Sequence, residues 1–366
     1  MTLRLLWLQW RDIKHPWSGG AEIYMHEICK RLASMGYEVR AVTSWYPGLK
    51  MREVLDGYTV ERVGTHDNYI LYVPQVLKKY TSWADVIVED TSKIPLMVPL
   101  MRRRKGIKVL AIVHHLNRNI YFYELPFIKA IIAYSLETIM PSLYSRLPDV
   151  WLIAVSNSTR EELIKLNADP NRIFIVPNGI DNKDNNIFFE KDPTPTVLYL
   201  SRAKAYKQPH HAIIAFSKVL KRVPHARLII AGKGTDKLYK YVIQKLNKNI
   251  EIYGEIDEET KTKLLCKAWL LIQTSLKEGF GITVLEAAMC RTPVVAYRVP
   301  GLKDAIKHME TGVLVEPGNI EQLAEAIVWL LTDDKLRSRL AENAYRYLQS
   351  FSWSNTVEKF LKIIES

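Results

Sequence analysis

Two glutamates, Glu278 and Glu286, stand with seven residues between them in Lys277-Glu278-Gly279-Phe280-Gly281-Ile282-Thr283-Val284-Leu285-Glu286-Ala287-Ala288. An apolar run at residues 269–272 leads into this segment and reads as a buried strand. From Ile282 onward, Val284, Leu285 and Ala288 repeat at roughly helical spacing. The segment is therefore strand, glycine turn and helix start. Such a turn cradles anions, because glycine lets a ligand approach the backbone and the first N–H groups of a helix point outward without internal partners. Carboxylates do not bind phosphate; they accept hydrogen bonds from hydroxyls. A phosphate cradle joined to two hydroxyl acceptors suits a nucleotide sugar.

The diphosphate of such a ligand is an anion whose charge must be balanced. One route is a divalent metal on an Asp-x-Asp motif, and no such motif stands at a convincing strand end. The adjacent pairs His114-His115 and His210-His211 send their side chains apart and lack metal-ligand spacing. The other route is cationic side chains beside a helix N-terminus. The apolar run 196–201 is followed at once by Arg202 and then by Lys207. Arginine grips two phosphate oxygens and lysine adds a point charge. Taken alone they could equally be solvated loop cations; with the Glu278 loop in the same half, diphosphate binding is the better reading.

Other positions carry weaker signals. Gly19 and Gly20 lie between the first apolar run and the first helical pattern, where they allow a second anion-binding helix start or merely a turn. His114 ends the run 109–113, placed to touch a sugar hydroxyl or a leaving phosphate, or to serve as a core histidine. Gly232-Lys233-Gly234 resembles a dinucleotide fingerprint whose third glycine would fall at Lys237, so NAD binding is not read from it.

These residues need a scaffold, and the chain supplies it twice. Strand-like runs at 3–8, 38–43, 58–63, 86–89, 109–113 and 152–155 alternate with helical patterns, including 20–35 and a capping box at Ser158-x-x-Glu161. A polar, Pro- and Asn-rich stretch with Asp181, Asp184 and Asp192 reads as a linker. Strand-like runs resume at 196–201, 227–231, 250–253, 269–273, 294–297 and 313–315. The expected fold class is α/β: two doubly wound, Rossmann-like domains with parallel sheets, facing each other across a cleft. The expected bounds are 1–177 for the first domain, 178–195 for the linker, 196–352 for the second domain and 353–366 for an amphipathic helix that returns to the first.

At 366 residues the chain is long enough for two such domains, and 48% hydrophobic with 25% charged residues fits a globular protein. No apolar run reaches the ~20 residues of a membrane span, and the short apolar start reads as a core strand and not as a leader. The net charge of +12 has no basic stripe interleaved with aromatics, which argues against nucleic acid. Arg102-Arg103-Arg104-Lys105 reads as a solvated loop or as a contact with an anionic membrane surface. Residues 116–147, rich in aromatics and aliphatics, read first as core helix and second as an acceptor groove or membrane-leaning surface. Cys29, Cys266 and Cys290 read as reduced core thiols, so a cytoplasmic location is expected, with the inner membrane face as the alternative.

The chain resembles the retaining glycosyltransferases of family 4, also called group 1 glycosyltransferases, which have the GT-B two-domain architecture. The segment Glu278-Gly279-Phe280-Gly281 through Glu286, continuing to Pro293-Val294-Val295-Ala296, resembles the family signature, and Gly301 and Gly312-Val313-Leu314-Val315 extend it. Ser18-Gly19-Gly20-Ala21-Glu22, Val113-His114-His115-Leu116, Val155-Ser156-Asn157-Ser158-Thr159 and Asn178-Gly179-Ile180-Asp181 also fit. The resemblance implies that Arg202 and Lys207 hold the donor diphosphate, and that Glu278 accepts from sugar hydroxyls. It further implies that N–H groups around Phe280, Gly281 and Ile282 face the phosphate or sugar, that Glu286 grips the ribose and that Gly254 lies near the base. Gly19 and Gly20 would approach the phosphates from the first domain, and His114 would contact the donor sugar. Two positions depart from the pattern: Ser201 before the arginine and Gln208 after the lysine, where the family usually has glycine. Neither removes a charge, but both bear on the loop that sets Lys207.

The resemblance implies transfer of a glycosyl unit from a nucleoside diphosphate sugar to an acceptor hydroxyl, with retention by a front-face route, and needing no metal or other cofactor. A glycan, a lipid-linked glycan or a small polyol is the expected acceptor class. A nucleotide-sugar epimerase or phosphorylase on the same fold, or a non-catalytic nucleotide-sugar-binding subunit, would share these residues.

Overall fold

The computed structural model describes residues 3–102, 104, 106–181, 190–238 and 249–365. The chain divides into two compact units, one of Met1–Gly179 with Trp353–Ser366 and one of Ile180–Ser352. Residues 182–189 of the expected linker, including Asp184, lie outside the described residues.

The first unit is built on eight strands: β1 (Arg4–Leu8), β2 (Glu38–Trp45), β3 (Arg52–Leu55), β4 (Tyr58–Thr65), β5 (Val86–Asp90), β6 (Lys108–Val113), β7 (Val150–Ala154) and β8 (Ile173–Ile175). They lie in the order β3-β4-β2-β1-β5-β6-β7-β8, parallel except for the β3–β4 pair. Central strands such as β6, Lys-Val-Leu-Ala-Ile-Val, are apolar at nearly every position because helices cover both faces of the sheet. The Trp353–Glu365 helix belongs to this unit: Phe360 stacks on Trp7 at 5.7 Å, and Lys108 donates to the carbonyls of Ile363 and Ile364.

The second unit carries β9 (Thr196–Leu200), β10 (Arg227–Ala231), β11 (Ile250–Gly254), β12 (Leu270–Gln273), β13 (Val294–Tyr297) and β14 (Gly312–Val315) in the order β11-β10-β9-β12-β13-β14, all parallel. In each sheet the strand order reverses once, between β1 and β5 in the first and between β9 and β12 in the second. Ligands of open parallel sheets sit beyond the carboxyl ends of the strands at such a reversal.

The structure departs from the sequence reading at definite places. β3 and β8 were not foreseen: β3 is a partly exposed antiparallel edge and β8 has three residues, too few to show a period. The helix Asn157–Lys165 is capped by Ser156, whose Oγ accepts from the Thr159 N–H at 3.1 Å, and not by Ser158, which lies inside the helix. Within residues 116–147, Leu116, Tyr121, Ala130, Ala133, Met140 and Tyr144 are buried in core clusters, while Phe122, Tyr123, Phe127, Ile128, Ile131, Ile132 and Ile139 are exposed. The core reading of that stretch therefore holds for the buried side chains and fails for the seven exposed ones. Cys266 and Cys290 are joined in a disulfide, so they are not free thiols; Cys29 is free and buried. The helices Glu258–Lys267 and Ile282–Met289 bring those two cysteines together across 24 residues of chain. That pairing removes the ground on which a reducing compartment was expected. Among the described residues no helix is long and apolar enough to cross a membrane.

Candidate functional site

The residues singled out in the second half converge at the carboxyl ends of β9 and β12. Arg202 follows β9, and a short 3-10 turn, Ala205–Lys207, delivers Lys207. Glu278 lies on the loop that follows β12. The Lys207 ammonium is paired with Glu278 Oε1, and the Ser275 hydroxyl donates to the same oxygen at 2.7 Å. Both side chains of the pair are largely buried, at 12% and 18% exposure. Burial opposes the lysine charge, yet Glu278 and Tyr206 beside it outweigh burial and hold the ammonium above its ordinary value. Arg202 is close enough that its charge pushes the other way on Lys207. Arginine, lysine and carboxylate thus share one neighbourhood at the strand-order reversal.

The loop that carries Lys207 is fastened through its backbone. Thr274 Oγ1 donates to the carbonyls of Lys207 and Gln208, both at 2.9 Å, and the Tyr199 hydroxyl donates to the Lys207 carbonyl at 3.2 Å. Gln208 adopts the left-handed conformation, φ +50° and ψ +49°. The loop thus keeps the backbone geometry that glycine favours although glycine is not there, at a cost of about 1–2 kcal/mol. The side-chain amide of Gln208 donates to the Ala205 carbonyl at 2.9 Å, which partly offsets it. At Ser201 the φ is not positive, so no glycine is required there.

The Gly232-Lys233-Gly234 segment has a structural task in this arrangement. A Cβ on Gly232 would lie 2.2 Å from the Ser201 carbonyl oxygen, and the Ala203 N–H donates to the Lys233 carbonyl at 2.9 Å. The segment is the seat of the Arg202 loop. Gly301 does the same for the acidic loop: its φ is +84°, and a Cβ there would stand 2.2 Å from the Glu278 carbonyl oxygen. The Glu278 N–H in turn donates to the Pro300 carbonyl.

Gly281 precedes the helix Ile282–Met289 with φ +87°, so the first-turn N–H groups, Ile282 among them, are those a helix leaves unpaired internally. The Phe280 side chain points into the core, 4% exposed, with its ring on Phe351 at 5.1 Å. Only its backbone is available to a ligand. One turn into the helix, Glu286 pairs with Lys261 at 2.8 Å, and Lys261 also meets Glu258 at 2.5 Å. Burial works against the Lys261 charge, but the two glutamates raise it above the ordinary lysine value. We expect Lys261→Met and Glu286→Gln each to lower unfolding free energy by about 1 kcal/mol, and the double variant to lose less than their sum. Chemical denaturation of the four proteins checks this; strictly additive losses would mean the pair carries no coupling. Gly254 ends β11 with φ +71°, and its carbonyl accepts from the Gly232 N–H at 2.7 Å.

The first unit holds the remaining predicted positions. His114 follows β6 and is buried; its Nε2 meets Asp90 Oδ2 at 3.0 Å, and its ring is perpendicular to Tyr24 at 5.2 Å. Gly19 sits just before the helix Gly20–Ser34, where its N–H donates to Glu22 Oε2 at 2.7 Å. Glu22 also holds Arg11 at 2.8 Å. Sequence reasoning missed Lys261, Ser275, Thr274, Tyr199 and Asp90. Ser275 and Thr274 had a readable signal, since they stand directly after an apolar strand and ahead of Glu278. Lys261 had none, being one of several lysines on a polar helix.

Two family models match the chain, "Glycosyltransferase Family 4" over residues 18–184 and "Glycosyl transferases group 1" over residues 181–347. An N-acetyl-alpha-D-glucosaminyl L-malate synthase of Bacillus anthracis is 26% identical over 90% of this chain and 89% of its own length. A poly(glycerol-phosphate) alpha-glucosyltransferase of Bacillus subtilis is 30% identical over 56% of this chain, which spans only 31% of that longer relative. Among solved structures, an Anabaena protein in complex with UDP and glucose superimposes with a TM-score of 0.77 at 20% identity, covering 99% of both chains. With both halves matched by paired models and two parallel-sheet α/β units in the structure, the chain belongs to the group 1 glycosyltransferases.

Proposed function

We propose that this enzyme takes a glycosyl unit from a nucleoside diphosphate sugar and delivers it, with retained anomeric configuration, to a hydroxyl of an anionic acceptor. The observation that carries the donor reading is the Lys207–Glu278 pair beside Arg202 at the β9/β12 reversal. There a pyrophosphate would replace the carboxylate as partner of the ammonium, and the freed Glu278 would accept from sugar hydroxyls. Arg202, Lys207 and the N–H groups of the Ile282–Met289 helix would stabilise the charge that builds on the leaving diphosphate, an effect worth several kcal/mol in such sites. On the same face of the sugar the bond from the anomeric carbon to the leaving oxygen breaks as the bond to the acceptor oxygen forms. The acceptor proton passes to the leaving diphosphate, so no protein nucleophile is needed.

An anionic acceptor is supported by the relatives' names, which specify malate and poly(glycerol phosphate) as the partners of those proteins. A lipid-linked acceptor is the second form the reading takes, supported by the exposed apolar side chains Phe127, Ile128, Ile131, Ile132 and Ile139 on one helix. The test is product analysis by NMR with a nucleotide sugar of known anomeric configuration. Retention in the product and full turnover in excess EDTA are expected. Inversion would overturn the front-face route, and abolition by chelator with rescue by Mg²⁺ or Mn²⁺ would overturn metal independence.

A further inference from the structure

Ahead of the Gly19-Gly20 turn, four rings close on one another at the β1/β5 reversal of the first sheet. His15 lies 5.1 Å from Tyr46, 5.4 Å from Trp17 and 6.0 Å from His66, and Trp17 lies 5.2 Å from His66. These residues follow the carboxyl ends of β1, β2 and β4. Lys93, just beyond β5, places its ammonium against His66 Nε2 and 5.8 Å from the Trp10 ring centroid.

The hydrogen bonds fix where the imidazole protons are. The Trp17 N–H donates to His15 Nδ1 at 3.1 Å, so the proton of a neutral His15 is on Nε2. An ammonium has only donors, so His66 Nε2 accepts from Lys93 and the proton of His66 is on Nδ1. Both protonated nitrogens, His15 Nε2 and His66 Nδ1, are buried and have no hydrogen-bond partner among the described residues. His15 itself is 1% exposed. Burial first, then the positive charges of Arg11 and Lys93, hold both rings neutral by pushing each down to about 4. The nearest acid to His15, Asp12, is committed to Arg62, Thr43 and the Lys14 N–H.

A buried N–H donor left without an acceptor costs about 1–3 kcal/mol. Two of them within one ring cluster, next to two cations, form a site complementary to an oxyanion. We infer that the His15–His66–Lys93 cluster, walled by Trp17 and Tyr46, is the subsite for the carboxylate or phosphate group of the acceptor. The inference rests on the proposed function and names the residues that would select an anionic acceptor over a neutral one. Trp17, 42% exposed, offers a ring face on which the carbon skeleton of the acceptor can lie.

The probes are inorganic phosphate, L-malate and, as the neutral control, glycerol, titrated into the full chain with ¹⁵N NMR of the imidazoles as the readout. Phosphate and L-malate should move the His15 and His66 signals saturably, and glycerol should not. His15→Phe keeps a ring in the cluster and removes the donor; Lys93→Met keeps the aliphatic stem and removes the charge. Each should weaken phosphate and malate binding at least 10-fold, while stabilisation of the protein by UDP-sugars stays as in the unmodified chain. UDP is the arm that separates donor from acceptor phosphate: it should leave phosphate binding at the cluster intact, and competition would reassign the subsite to the donor. No saturable anion shift, or unchanged affinity in both variants with melting temperatures retained, would reduce the cluster to a hydrated packing site and overturn the inference. Failure of UDP-, GDP- and ADP-sugars alike to bind the unmodified protein would instead sink the proposed function and leave the anion measurement standing.

Discussion

Arg202→Ala and Lys207→Ala should each lower turnover by about 100-fold or more while leaving the protein folded. The magnitude follows from where the charge develops. Lys207 is neutralised by Glu278 in a largely buried pair, so its charge is already desolvated and fixed in place. A group held in this way loses little in reorganisation when the leaving diphosphate gains charge, and removing one such donor commonly costs about 2.7–4 kcal/mol of transition-state stabilisation. The variants should differ in stability. Lys207→Ala takes the ammonium from the largely buried Glu278 carboxylate, which keeps the Ser275 hydroxyl as a donor, whereas Arg202→Ala leaves the Lys207–Glu278 pair intact. Steady-state kinetics with the donor varied, beside thermal melts, separates the two effects. Near wild-type turnover in both variants would mean that neither cation faces the reacting phosphate.

Gly301→Ala should be the most damaging single substitution beneath the acidic loop. Two costs add: the residue sits at φ +84°, and its new Cβ would stand 2.2 Å from the Glu278 carbonyl oxygen and 2.6 Å from its carbon. No side-chain rotation relieves a clash with backbone, so the Glu278 loop must move. We expect a loss of about 3 kcal/mol or more in stability, together with loss of donor binding. Gly318→Ala is the internal control. Its φ is +79° and a Cβ there meets nothing within 4 Å, so it should cost only the backbone term, about 1–2 kcal/mol. Denaturant unfolding of the pair is decisive, and equal losses would show that the close approach of Gly301 to the Glu278 backbone does not matter.

Much of the scaffold was legible because parallel strands covered on both faces leave unbroken apolar runs. β10 and β13 coincide with the runs at 227–231 and 294–297, and the helix at Ile282 begins where the apolar period begins. The placing of Arg202 and Glu278 was legible for a related reason: each follows the end of an apolar run, where a polar residue need not face the core. The glycine roles were half legible. The Gly232-Lys233-Gly234 segment invited a dinucleotide reading, but its first glycine serves the neighbouring Ser201 backbone, a contact that only the β9–β10 register creates. The same holds for Gly301 beneath Glu278.

What the sequence hid was tertiary. Cys266 and Cys290 meet because two helices lie side by side, which their spacing does not announce. Lys261 reads as one more solvated helix charge until its helix is laid against the one that carries Glu286. The run from Phe122 to Ile139 has the composition of a core helix, and composition cannot say that its outer face is left uncovered. The ring cluster around His15 gathers residues from three separate loops, and no spacing within any one of them signals it.

The central claim is that the second unit holds a pyrophosphate by guanidinium, ammonium and backbone N–H groups while Glu278 and Glu286 read hydroxyls. Calorimetric titration of UDP-, GDP- and ADP-sugars into the unmodified chain and into Lys207→Ala tests it most directly. The account predicts saturable, one-to-one binding of at least one of these donors and a loss of at least 10-fold in affinity in the variant. Failure of all three to bind, or equal affinity in the two proteins, would contradict it.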